Sequence, residues 1–310
     1  MDSFDFNTFS NDLDAAWKYA KSYPYKCCYP GCNEKAIKSH LLQQHPVLES
    51  ICDENNCLLQ MADNKMDPRS LNWNLYNRHK VGISIALQYK LFCSCHDSGL
   101  FKDIENQNSI PKTKRDCLLM AFRSACAVRH QEEYRLHVYE KEAQRIGQRH
   151  LMEDNSRIYI CRMSSVIDNL WKAINGDGDH HYLFRMIAMP RTDIAVSDCI
   201  TDEKDFVEHV LDDNYIEPLN CLFINLIPTE KQLLLLLGCD TRYDKQKEFW
   251  RIIEDFPTGN VGQDVYLDTL KGILLKCSNW CCSPGLYDNS DWTEFFDKFE
   301  GLKLRSSILA

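Results

Sequence analysis

KCCYPGCNEKAIKSHLLQ (residues 26–43) and LFCSCHDSGLFKDIE (residues 91–105) are the two stretches that decide how this chain folds. Each puts cysteines on what reads as a tight turn, and the second runs straight into a His-Asp step. Thiolate and imidazole at such spacing suit a tetrahedral zinc ion, whose four ligands arrive as two pairs from separate turns. Cys32 belongs to any version of the first pair, with Cys27 or Cys28 as its partner. In the second, Cys93 and His96 have the two-residue gap that lets side chains of one turn face one ion, with Cys95 as the alternative. The spare cysteines read as buried thiols, which pack as small hydrophobes. A segment this short has little apolar mass of its own, so a metal is expected to hold it together.

Outward from these stretches, the chain reads as globular. Its 310 residues suit two domains, and 44% hydrophobic with 26% charged residues is an ordinary balance. The opening MDSFDFNTFSNDLDAAW is acidic and broken by polar residues, unlike a secretory leader. The longest apolar run, QLLLLLGC (residues 232–239), is too short to span a bilayer, so no membrane association is expected. Sixteen cysteines without a secretion signal favour reduced thiols and a metal site, and a cytoplasmic protein. The net charge of −9 argues against a general nucleic-acid binder, but residues 111–162 carry 11 Lys and Arg against 7 Asp and Glu. Lys112, Lys114, Arg115, Arg123, Arg129 and Arg135 there read either as a strip that grips phosphates or as a solvated helix face.

The fold class expected is α+β in three segments: a cysteine-rich module over 1–108, a helical connecting region over 109–175, and an α+β domain over 176–310. A lead-in helix ends at Tyr23-Pro24, and HPVLESICDENNCLLQM reads as a helical turn followed by a strand. ADNKMDPRSLNWN reads as an exposed loop and SGLFKDIE as part of a helix beginning at the second ligand pair. Helical spacing predicts helices over 113–150 and 158–174, with NGDGDHH as a turn. YLFRMIAMP, DIAVSDCI, LNCLFINLIP and KQLLLLLGC read as strands; EKDFVEHVL, DKQKEFWRIIEDF, VYLDTLKGILLKC and DWTEFFDKF read as helices packed to one side of them.

Cys27, Cys32, Ala36-Ile37, Ser39-His40, Gln43, Phe92-Cys93, His96-Asp97, Leu100-Phe101 and Ile104-Glu105 together make a pattern, C-x4-C, AI-x-SH-x-x-Q, FC-x-x-HD-x-x-LF-x-x-IE. It resembles that of uncharacterised bacterial proteins whose N-terminal module is an HNH-like (His-Me finger, treble-clef) zinc domain, several of them encoded among phage-defence genes. FINLIPTE (residues 223–230) resembles their C-terminal part more loosely. The resemblance implies Cys27 over Cys28 as ligand, because the family usually has an aliphatic residue at the latter position. It implies a structural zinc on Cys27, Cys32, Cys93 and His96. It also implies His40 as the base that deprotonates water, and Asp97 as a ligand of a catalytic Mg²⁺ or Mn²⁺. DNA or RNA, or another defence protein, would be the partner.

A working HNH site usually reads Asp-His or His-His before the base, whereas this chain reads Ser-His. Asn72, Asn74 and Asn77 lie in the interval where such sites carry an asparagine. His40 has a structural alternative, as a cap bonded to backbone, and Asp97 has one as a helix N-cap. The function expected is a metal-dependent HNH-type nuclease. The alternative is a non-catalytic, zinc-stabilised recognition or adaptor protein. Elsewhere, His45 and His79 read as surface residues, and His180-His181 as a polar turn or a metal pair with Asp177 or Asp179. Cys277, Cys281 and Cys282 read as packed core or redox-accessible thiols.

Overall fold

Five consecutive leucines in QLLLLLGCD leave no strand face for water, so a strand built from them needs apolar cover on both sides. The computed structural model describes residues 6–63, 76–106, 110–147, 152–201, 218–242, 263–293 and 295–296. Chain order is α1 (Phe6–Ser22), β1 (Ile37–His40), a helical turn (Gln44–Leu48, Glu49–Ile51), β2 (Cys57–Asp63), β3 (Tyr76–Gly82), β4 (Gln88–Phe92), α2 (Ser94–Leu100), α3 (Lys102–Glu105), α4 (Lys114–Ile146), α5 (Met152–Ile174), β5 (Tyr182–Pro190), β6 (Ile194–Thr201), β7 (Cys221–Pro228), β8 (Gln232–Asp240), α6 (Gln263–Lys276) and β9 (Trp280–Cys282).

Helix and sheet are mixed, as an α+β reading requires. β1 and β4 form an antiparallel pair, and the other strands form one sheet in the order β3-β2-β9-β6-β7-β8-β5, antiparallel throughout. Leu222, Ile224 and Leu226 of β7 with Leu233, Leu235 and Leu237 of β8 face a core that includes Leu270 and Leu274 of α6. Phe223, Ile227, Leu234 and Leu236 face the opposite core, shared with α4 and α5. The expectation of helices on one side is therefore corrected: both faces carry them, as the leucine run demands. Each fully buried leucine contributes roughly 1.5–3 kcal/mol. Gly238 is where β8 meets β5 most closely, since a Cβ there would lie 2.3 Å from the Phe184 ring.

The sheet also crosses the expected boundary at residue 108. Leu59 and Gln60 of β2 pair with Cys282 and Cys281 of β9, so the cysteine-rich segment contributes two strands to the large sheet. Leu41, Leu42, Leu48, Leu58, Phe92 and Phe101 of that segment share one core with α4 and α5. The segment therefore does not rest on its own apolar mass. A buried polar network adds a second tie. Both Asp198 carboxylate oxygens accept hydrogen bonds, from the Ser278 N–H (2.6 Å), the Asn279 N–H (3.1 Å) and the Asn279 amide (2.9 Å). Tyr89 Oη of β4 and Gln131 Nε2 of α4 donate to Asn279 Oδ1 at 2.6 and 2.7 Å.

α4 begins with a capping box: Thr113 Oγ1 accepts from the Asp116 N–H (3.1 Å), and Asp116 Oδ2 accepts from the Thr113 N–H (3.0 Å). Its segment from Leu118 to Ala127 is buried throughout, so α4 is the central helix and not a connecting one. The helix expected from residue 158 starts at Met152. EKDFVEHVL, DKQKEFWRIIEDF and nearly all of ADNKMDPRSLNWN lie outside the described residues. Among the described residues no helix is long and apolar enough to cross a membrane.

Candidate metal centre

The first pair of donors comes from a closed turn. Lys26 and Lys35 form a single antiparallel bridge. The Cys27 N–H donates to the Glu34 carbonyl (2.8 Å), and the Cys32 N–H to the Tyr29 carbonyl (3.0 Å). Gly31 at φ +80° takes the left-handed conformation that closes the turn. The second pair stands at the start of α2, where Cys93 is the extended N-cap and His96 sits in the first turn. β1 and β4 bring the two turns together, and the Cys28 N–H donates to the Leu91 carbonyl (2.7 Å) to hold the first against β4.

The ligand atoms of Cys27, Cys32, Cys93 and His96 all lie within 4.8 Å of one another. Nδ1 of His96 is 3.5 Å from the Cys27 sulfur and 3.2 Å from the Cys93 sulfur. Tetrahedral zinc, with bonds of about 2.3 Å to sulfur and 2.0–2.1 Å to nitrogen, would set those atoms about 3.5 Å apart. The donors fit a metal ion, and this is the one such group among the described residues. Burial pushes the Cys27 thiol up to about 12, whereas the His96 backbone N–H lowers Cys93. A bound cation favours the thiolates, so metal uptake releases protons.

Cys28 takes no part. It is buried beside Cys126, and Arg129 Nη2 donates to its sulfur at 3.3 Å. Cys95 is exposed on the outer side of α2. Tyr29, between the first two ligands, stacks flat on the His96 ring (centroids 3.7 Å, 3° between planes) and meets Trp171 of α5 edge-on. That contact fixes the plane of the imidazole.

His40 closes β1 and is half-buried. Its Nε2 lies 3.2 Å from the Ile83 carbonyl. A carbonyl only accepts, so Nε2 carries the proton and the neutral ring keeps its lone pair on Nδ1. Burial lowers the pKa of His40; the Ile83 carbonyl, Asp97 and Glu105 act against that, and Arg123 acts with it. The ring is neutral near pH 7, as a general base needs to be. Ser39 points the other way, 1% exposed, and its hydroxyl has no partner among the described residues.

Asp97 is corrected as an N-cap: Cys93 holds that position, and the Asp97 N–H already bonds the Cys93 carbonyl (2.9 Å). Its half-buried carboxylate is near enough for its charge to act on His40. The basic strip is corrected too. Arg123 pairs with Glu105 (2.9 Å), Arg129 with Glu133 (3.3 Å) and Arg135 with Glu132 (2.9 Å), while only Lys112, Lys114 and Arg115 are exposed. Arg123 and Arg129, on the buried side of α4, had to find carboxylates, because an unpaired buried charge is costly.

The remaining candidates fall elsewhere. His45 is exposed and bonded to Glu49 (2.6 Å), and His79 is exposed on β3. His180 and His181 sit with ring centroids 3.9 Å apart beside Lys172, Asp177 and Arg242, with no convergent donor group. Asn72 and Asn74 lie outside the described residues, and Asn77 lies in β3 opposite Ala62. Cys277, Cys281 and Cys282 are at most 2% exposed. The chain matches no protein-family model, no curated protein and no solved structure. Its chemistry has to be read from its own atoms.

Tyr29 carries no local signal of its stacking on His96, and Arg123 lies buried rather than on the surface. A signal for Arg123 was there: it is the one charge in CLLMAFRSACAV, an otherwise apolar or small run whose burial obliges a paired guanidinium.

Proposed function

We propose that the chain is a metal-dependent HNH-type nuclease on a treble-clef scaffold held by structural zinc, acting in the cytoplasm within bacterial anti-phage defence. One observation carries this reading: a neutral imidazole, His40, is held by a backbone carbonyl at the end of β1, in the strand pair that also joins the two turns of the Cys₃His donor set. The order turn, β1, β4, α2, with ligands from the turn and the helix start, supports a treble-clef reading. Cys27, Cys32, Cys93 and His96 would hold a zinc ion with four protein ligands, which would leave it a structural role.

In this mechanism Nδ1 of His40 takes the proton from the attacking water, while the Nε2–H bond to Ile83 holds the ring. Asp97 lies close enough for its charge to act on His40. Asp97 is the residue that would hold a divalent cation such as Mg²⁺ or Mn²⁺, which would supply charge neutralisation at the phosphate. The substrate would be DNA or RNA.

The second reading, a non-catalytic zinc-stabilised adaptor that binds a protein or nucleic acid, is favoured by the His40–Ile83 bond, which is the backbone cap of the structural alternative for His40, and by the ion pairs that hold Arg123 and Arg129. Those pairs take two guanidiniums from the strip that would grip phosphates. The test is plasmid and RNA cleavage by wild type and His40→Ala, with and without Mg²⁺ or Mn²⁺. Metal-dependent cleavage that His40→Ala loses while keeping its zinc supports the nuclease. No cleavage by wild type supports the adaptor.

A further inference from the structure

We propose that Arg123 of α4 is the positioning residue of the His40 site, tying Glu105 of α3 and the main chain just after His40 into one unit. The inference rests on the nuclease reading and adds to it a residue from outside the metal-held segment. Arg123 is 6% exposed. Its Nη2 donates to Glu105 Oε1 at 2.9 Å, its Nη1 reaches the Leu41 carbonyl at 3.5 Å, and its guanidinium lies 3.6 Å over the Phe101 ring. One side chain thus touches the residue that follows His40, the helix that follows α2, and the aromatic ring between α2 and α3.

The position does not need a charge for packing. Replacing a buried ion pair by apolar residues of similar volume is often neutral or stabilising, so a guanidinium kept among Leu118–Ala127 calls for another reason. The fork of Arg123 supplies one, because it reads two acceptors in fixed geometry where a methionine would read none. The charged groups near enough to act on His40 are Asp97 from α2, Glu105 from α3 and Arg123 from α4, while the Ile83 carbonyl after β3 holds its ring.

Two variants separate positioning from simple anchoring. In ¹⁵N-histidine NMR of the full chain, with His40→Ala to assign the signal, Arg123→Gln removes a cation that adds to burial in holding the imidazole pKa down. Glu105→Gln removes an anion that holds it up. Positioning predicts shifts of opposite sign, up for Arg123→Gln and down for Glu105→Gln, each at least about half a pH unit. If the pair only anchors α4, both variants loosen and hydrate the site, and both move His40 upward. Shifts of one sign, or none, overturn the proposal. Arg123→Lys keeps the charge without the fork and guards against a variant that fails to fold. It is expected to keep the zinc and the fold but lower kcat about tenfold with KM within about twofold. An unchanged kcat in Arg123→Lys overturns the proposal. Wild-type protein without any cleavage in Mg²⁺ or Mn²⁺ overturns the nuclease reading instead, and the sign of the two NMR shifts still decides what Arg123 does.

Discussion

The two cysteine-rich stretches of this chain use one side chain in two ways. Around residues 27–32 and 93–96, two tight turns present thiols and an imidazole to a common point, and their donor atoms converge within 4.8 Å. Around residues 277–282, Cys281 and Cys282 alternate across a three-residue strand, so each faces a different core. The first stretch has a left-handed glycine and a helix N-cap to aim its sulfurs; the second has a β-ladder on both sides. Backbone geometry, not cysteine content, separates a ligand from a small hydrophobe. The contrast is sharpest between neighbours, since Cys27 joins the centre and Cys28 turns to Cys126 and Arg129.

The largest effect that would test the contrast is loss of a ligand. Cys93→Ser is expected to abolish metal binding and destabilise the 26–36 turn and α2 by on the order of 5 kcal/mol. That is less than the roughly 10–16 kcal/mol zinc gives small zinc-dependent domains, because the shared core remains. Hydrogen exchange should show fast exchange over residues 26–36 and 93–101 with β6, β7 and β8 still protected. Uniform exchange across the sheet would mean that the metal supports the whole fold. Next comes the polar tie between segment and sheet. Asp198→Ala leaves three backbone N–H groups, of Cys199, Ser278 and Asn279, and the Asn279 amide without their acceptor and should cost about 3 kcal/mol in urea unfolding, with metal content unchanged.

A third effect depends on pH. Burial, with Lys90, Arg129 and His137 nearby, lowers the pKa of His130 to about 3. The unfolded chain takes up that proton below about 6.5 and the folded chain does not. Stability from this group is therefore complete above that pH and falls by roughly 1.4 kcal/mol per pH unit down towards 3. Acid also protonates the metal ligands, so the readout is a difference: His130→Gln should show a shallower acid slope than wild type, by about 2–3 kcal/mol at pH 4.5. Equal slopes would put His130 outside the acid response. The smallest effect belongs to the second cysteine stretch. Cys282→Ala should cost only about 1–2 kcal/mol, as a small buried group does, and leave the metal in place.

How far the sequence could be read follows from the range of each interaction. The four donors could be found because each pair is local, set by a gap of two or four residues on one turn. Strands β5 to β8 could be found because their apolar runs are unbroken. β3 and β9 could not. YNRHKVG puts Asn, Arg, His and Lys in a strand at the sheet edge, and WCC is three residues long and held only by partners more than 80 and 200 residues away. Strand pairing of that kind leaves no local period to see. The same limit hid the site's setting: His40 stood out through its own motif, but its neighbours Ile83, Glu105 and Arg123 come from three other parts of the chain.

Elemental mass spectrometry of purified wild type, Cys27→Ala and Cys28→Ala addresses the centre most directly. About one zinc ion per chain is expected in wild type and in Cys28→Ala, and none in Cys27→Ala. A wild type without metal, or a Cys28→Ala that loses it while Cys27→Ala keeps it, would contradict the assignment of Cys27, Cys32, Cys93 and His96 as the metal centre.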